Sequence, residues 1–199
     1  MKKAGLALFL TLIATFLFAA ETKSLQDLFP AELINTSGRK INAKTALQGK
    51  KFIAVYFSAS WCGPCRGFTP QLVRFYKQVA RKNNLEVIFV SCDKDEKAMV
   101  DYMKKDAMPW LAIPFGNPGN AELKKMCNAR GIPQLTIFDS TGKIISQNAR
   151  WDVVILGKNA VQAWMSPKYT PKTYKDYQSS NQNQKNSKKS YKKKRSKRR

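Results

Sequence analysis

The chain of 199 residues contains no histidine. That removes Ser-His and Cys-His nucleophilic catalysis, imidazole metal ligation and imidazole proton shuttling from the mechanisms open to it. Acid is scarce as well, with 13 Asp and Glu against 36 Lys and Arg and a formal net charge of +23. Cysteine is confined to four positions: Cys62, Cys65, Cys92 and Cys127. Cys62 and Cys65 are the one close pair, and without histidine or a second close pair a zinc site lacks suitably spaced ligands. No metal or organic cofactor is expected, and thiol chemistry is what remains.

That chemistry centres on Trp61-Cys62-Gly63-Pro64-Cys65-Arg66, between the apolar run Lys51–Ala59 and a segment with helical spacing. A buried strand that breaks directly into a helix puts Cys62 at the helix N-terminus, where unpaired N–H groups and the helix dipole favour a thiolate. The thiolate is the nucleophile in disulfide exchange, which makes Cys62 the attacking group and Cys65 its resolving partner. Two intervening residues, stiffened by Pro64, allow the sulfurs to close a short disulfide. Half a zinc site and a purely structural disulfide are the competing readings of the pair, and a loop this short constrains the unfolded chain little.

The length allows one good core and little more. Met1-Lys2-Lys3 followed by an apolar run to Ala20 reads as an export signal at residues 1–20. Cleavage after Ala20 is expected, although Phe18 stands where a small residue is preferred, and an uncleaved membrane anchor is the second reading. Residues 24–166 are expected to fold, opening with a strand or hairpin before the central strand. Phe68, Leu72, Val73, Phe75, Tyr76 and Val79 predict an amphipathic helix bent at Pro70. Leu85–Cys92 predicts a second buried strand, Asp95–Lys105 a helix, and Asn120–Arg130 another with Cys127 on its core face. Gln134–Asp139 and Lys143–Ala149 predict a hairpin through Gly142, and Ala160–Met165 a short closing helix. This is an α/β pattern with a mixed sheet. Residues 172–199 hold twelve Lys and Arg against the single acid Asp176. Ser, Gln, Asn and Lys dominate from residue 167, so 167–199 is expected to be a disordered basic tail.

Val55–Leu72 around the cysteines, Met108-Pro-Trp-Leu-Ala-Ile-Pro-Phe115, and Gly131-Ile-Pro-Gln-Leu135 together resemble the thioredoxin superfamily, and within it the tryparedoxin/nucleoredoxin branch. The resemblance spans roughly residues 30–156 and implies a thioredoxin fold: a central mixed sheet flanked by helices, here with an N-terminal strand or hairpin extension. It implies that Cys62 attacks, Cys65 resolves, and Pro133 is a cis-proline facing the Cys62–Cys65 disulfide, with Ile132 offering its backbone to an extended substrate. Trp61, Gly63 and Pro64 support the site. Trp110 either lines the same surface or is a half-buried aromatic. Three departures stand out. Gly63 replaces the first of two prolines usual between tryparedoxin cysteines. Tyr56 takes the place of the buried acid of thioredoxins, leaving the proton acceptor for Cys65 unassigned. The export signal is of bacterial type, whereas this branch is typically intracellular and eukaryotic.

The expected function is a thiol–disulfide oxidoreductase that reduces protein disulfides outside the cytoplasm, as a monomer in the periplasm or secreted.

 Re-reduction would need a membrane-linked dithiol reductant, since the electrons must cross from inside. The alternative is a binding protein held at a surface, its tail touching anionic polymer or membrane and its redox motif secondary. Export argues against a specific nucleic-acid partner.

Overall fold

The computed structural model describes residues 28–196; the expected export segment at 1–20 lies outside the described residues. The chain enters through the expected hairpin, β1 (Glu32–Ile34) and β2 (Lys40–Asn42). Asn42 then caps a short helix that the sequence reading lacked, α1 (Ala43–Leu47), by accepting from the Thr45 N–H at 3.0 Å. β3 (Phe52–Ser58) follows, with all seven residues buried. Apolar side chains on both faces of a strand require cover on both sides, as in the middle of an α/β sheet.

α2 (Gly63–Asn83) is one continuous helix with Pro70 inside it. Asn84 ends it in the left-handed conformation (φ 50°), and its carbonyl accepts from the Lys51 and Phe52 N–H groups. β4 (Leu85–Ser91) pairs parallel with β3 from Phe52 opposite Leu85 to Ser58 opposite Ser91. Asp95 caps α3 (Glu96–Lys105), and β5 (Leu111–Ala112) returns parallel to β4. α4 (Asn120–Met126) is shorter than the expected 120–130 because Asn128 turns to φ 47°. β6 (Gln134–Asp139) runs antiparallel to β3, and β7 (Ile144–Ser146) antiparallel to β6. The sheet order is β2-β1-β5-β4-β3-β6-β7, the mixed α/β sheet expected.

Alternate residues of β3 face two cores. Phe52, Ala54 and Tyr56 pack with Phe68 and Leu72 of α2 and Met99, Tyr102 and Met103 of α3. Ile53, Val55 and Phe57 pack on the other side with Leu47 of α1 and Leu123 of α4, where Cys127 is also fully buried, as expected. α5 (Arg150–Leu156) and α6 (Ala160–Trp164) close the first core through Val153, Ala160, Val161 and Trp164.

The fold runs past the boundary expected at residue 166, and the described residues 167–196 form turns and a helix rather than the expected disordered tail; 197–199 lie outside the described residues. Asp152, fully buried, accepts from the Ser146 hydroxyl (3.3 Å), Trp164 Nε1 (3.1 Å), the Tyr169 hydroxyl (2.5 Å) and the Lys172 N–H (2.8 Å). Two of those donors lie beyond residue 166. Thr173 and Asp176 then cap α7 (Tyr174–Ser196) reciprocally, and Trp151 stacks on Tyr177 with ring centroids 5.0 Å apart. Composition alone reads this stretch as unfolded because its anchors, Tyr169, Tyr174 and Tyr177, show no apolar period.

Candidate active site

Where β3 ends, Cys62 becomes the N-cap of α2, and Cys62 and Cys65 form a disulfide with Cα atoms 5.2 Å apart. Pro64 falls in the first turn, where a missing N–H costs no helical hydrogen bond. The Cys65 N–H points at Cys62 Sγ at 3.3 Å. An N–H aimed at this sulfur, together with the helix dipole, is what a thiolate at Cys62 would need. Gly63 and Pro64 are exposed, and so is Trp61 at 58%. Cys62 is 6% exposed and Cys65 is sealed at 0%; the difference is small because Ile132 packs against the pair.

The Ile132–Pro133 peptide bond is cis. The Ile132 carbonyl oxygen lies 3.8 Å from Cys62 Sγ, so the loop before β6 faces the disulfide. Ile132 is half-buried and Pro133 buried. Trp110 is not at this surface. Only 2% exposed, it packs edge-on to Tyr56 (6.2 Å) and Tyr76 (5.6 Å) inside the first core. Tyr56 and Tyr76 build its pocket, so Trp110 does not line the surface beside the cysteines as one of the two expectations had it.

Behind Cys65 there is a chain of hydroxyls. The Thr69 hydroxyl donates to the Cys65 carbonyl at 2.9 Å. With its single proton committed, Thr69 Oγ1 can only accept from the Tyr56 (2.8 Å) and Tyr102 (2.5 Å) hydroxyls, and Ser58 Oγ then donates to Tyr102 at 3.1 Å. All four residues are buried. Burial, as the largest cause, raises both phenols above their ordinary range. The network is satisfied with no ionised group, and neither phenol is a base near neutral pH.

On the other side, Asp93 accepts from the Ser60 N–H (2.8 Å), the Ser60 hydroxyl (2.7 Å) and the Ser91 hydroxyl (2.8 Å), pinning the loop that carries Trp61. Trp61 Nε1 donates to the Cys92 carbonyl at 3.1 Å. Cys92 packs against the disulfide, and its thiol is raised, chiefly by burial. Thr69, Tyr102 and Asp93 were not singled out from sequence; Asp93 directly follows the end of a buried strand, which was the available signal. Among the described residues no group of three or more Cys, Asp or Glu could hold a metal ion.

A family described as thioredoxin-like matches residues 49–144. The chain is 39% identical over 145 residues to a probable nucleoredoxin 1 of Arabidopsis thaliana, covering 72% of this chain and 23% of that protein. It is 46% identical over 106 residues to tryparedoxin of Trypanosoma brucei brucei, covering 52% of this chain and 72% of the relative. The chain thus spans about a quarter of the length of the nucleoredoxin and most of the tryparedoxin. A solved tryparedoxin from Trypanosoma brucei superposes with a TM-score of 0.63 at 39% identity, covering 70% of this chain and 96% of that one. With the strand order, the disulfide at the start of α2 and the cis-proline loop opposite it, these matches establish that the chain belongs to the thioredoxin-like family, among tryparedoxins and nucleoredoxins.

Proposed function

We propose that the protein is a thiol–disulfide oxidoreductase that reduces protein disulfides outside the cytoplasm. The observation that carries this reading is the Cys62–Cys65 disulfide at the start of α2, with the Cys65 N–H directed at Cys62 Sγ. Reduced Cys62 attacks one sulfur of a substrate disulfide as its thiolate, and the other substrate sulfur leaves as a thiolate that takes up a proton. Cys65 then gives up its proton and attacks Cys62 Sγ, releasing the second substrate thiol and closing Cys62–Cys65. Two electrons pass to the substrate, and a membrane-linked dithiol donor returns them. The cis Ile132–Pro133 segment would lie against the substrate chain. Because Tyr56 and Tyr102 are held protonated by burial, the Cys65 proton leaves toward solvent or the departing thiolate rather than to a buried base.

The asymmetry of the two cysteines supplies the test. Cys62→Ser should abolish exchange. Cys65→Ser leaves attack intact and removes resolution, so mixed disulfides with substrate proteins should accumulate on Cys62 as reducible high-mass bands on non-reducing gels. Equal trapping by both variants would refute the assigned roles. No trapping by either would refute the oxidoreductase and favour a surface-held scaffold. For the location, an intact Met1 in protein recovered from the cytoplasm, seen by mass spectrometry, would overturn export.

A further inference from the structure

Four cations stand on or beside the segments that carry or face the disulfide. Arg66, next to Cys65, is exposed and donates from Nη1 to the Ser60 carbonyl at 2.7 Å. Arg130 is exposed two residues before Ile132, the residue whose carbonyl approaches Cys62 Sγ. Arg150 reaches the Pro133 carbonyl from Nη1 at 3.4 Å, and its Nε is buried with no hydrogen-bond partner. Lys124, exposed on α4, lies close enough to act electrostatically on Cys92, which packs against the disulfide. Ion pairs among the described residues are Lys40–Glu32, Lys50–Glu86 and Lys97–Asp101, so none of the four cations is neutralised in one.

Three carboxylates near the site are held by their own elements or partly buried. Asp93 is taken up by Ser60 and Ser91, and Asp95 caps α3 by accepting from the Ala98 N–H at 2.7 Å. Asp106, whose field reaches Arg66, has one oxygen buried without a partner. The positive charge also continues outward. The Arg150 guanidinium sits 4.3 Å from the Trp151 ring centroid, and Trp151 in turn carries Tyr174 and Tyr177 of α7. From that root the chain adds Lys172, Lys175, Lys185 and Lys188, against the lone acid Asp176, which is held by Thr173. The basic helix is therefore rooted beside the loop that faces Cys62.

We propose that this collar makes the site selective for disulfides set in acidic protein segments, with Arg66, Lys124, Arg130 and Arg150 meeting carboxylates that flank the substrate cysteine and α7 drawing the acidic partner in. The inference rests on the exchange reaction proposed above and adds no bond to it. Complementary charge around a site acts mainly on association, raising it by about 10 to 1,000-fold at low salt and losing that gain as salt rises.

The test uses the pre-reduced full chain and two peptide disulfides that differ only in carrying Glu or Lys beside the half-cystines, with neutral 2-hydroxyethyl disulfide in parallel. In about 20 mM NaCl the Glu peptide should be reduced about tenfold faster or more than the Lys peptide, and in about 500 mM the ratio should fall to near unity. The double substitution Lys124→Glu with Arg130→Glu, both at exposed positions, should cut the low-salt preference several-fold. Failure to reduce even the neutral disulfide would remove the proposed reaction itself. Reduction of the neutral disulfide with equal rates on the two peptides would leave the reaction standing and overturn the selectivity. A preference unchanged in the double variant would overturn the collar, and equal peptide rates together with co-sedimentation on anionic lipid vesicles would reassign the charge to a membrane surface.

Discussion

Thr69 decides the energetics behind Cys65, because its oxygen is the shared acceptor of two buried phenols and its proton is held by the Cys65 carbonyl. Tyr56→Phe removes one donor and leaves no polar group stranded, so it should cost about 1 kcal/mol. Thr69→Val removes the acceptor of both phenols; Tyr102 keeps Ser58 while Tyr56 loses its partner, so the cost should be higher, about 2–3 kcal/mol in urea unfolding, given about 1–3 kcal/mol for a buried unsatisfied group. Equal losses would show that the hydroxyl chain is not shared through Thr69. The pH dependence has a definite sign. Burial raises Tyr56 and Tyr102, and it pushes the Cys127 thiol up to about 11 from 9.0. The folded protein keeps these protons while the unfolded chain loses them, so their stabilisation is complete below about pH 9 and is lost as pH climbs past 9 for the thiol and past about 10 for the phenols. Unfolding free energy should fall over that alkaline range, and Cys127→Ala should flatten the limb between pH 9 and 11.

At the scale of elements, β3, β4 and β6 were legible because their two-faced apolar runs admit few other arrangements, and α3 because Asp95 supplies a cap before Met99, Tyr102 and Met103. The cysteine pair was legible from its place between strand and helix. What was not legible depends on contacts between distant residues. Trp110 turns inward because Tyr56 and Tyr76, far away in sequence, build its pocket. The C-terminal segment folds back because Asp152 is buried and needs donors, and Tyr169 and Lys172 provide two. Truncation after Ser166 should therefore destabilise the domain by about 1–3 kcal/mol, since it removes two of the hydrogen bonds to Asp152, each worth about 0.5–1.5 kcal/mol. Truncation after Gln178 keeps both donors and the Trp151–Tyr177 stack, and should melt within about 2 °C of the full chain. Equal melting of the two truncations would show that Asp152 does not hold this segment.

For the whole molecule, charge is distributed unevenly, and the consequence falls on α7. Ten of the 36 basic residues lie beyond Gln178 with no acid among them. Lys185 and Lys188 stand three apart on α7, a spacing at which like charges meet on a helix, and in the sequence Lys189 and Lys192 repeat the spacings of three and four. Each such pair opposes the helix by about 0.2–0.5 kcal/mol, and salt screens the repulsion. The root of α7 is tied by Thr173, Asp176 and the stack on Trp151, and among its described residues beyond Gln178 no ion pair opposes that repulsion. Far-UV circular dichroism should accordingly show the full chain gaining helix as NaCl rises from about 20 to about 500 mM, while the chain ending at Gln178 changes little. An acidic peptide should produce the same gain at low salt, because it neutralises the lysines directly. If neither salt nor the peptide moves the helical signal, the outer helix does not respond to charge, and α7 cannot be the element that takes up an acidic partner.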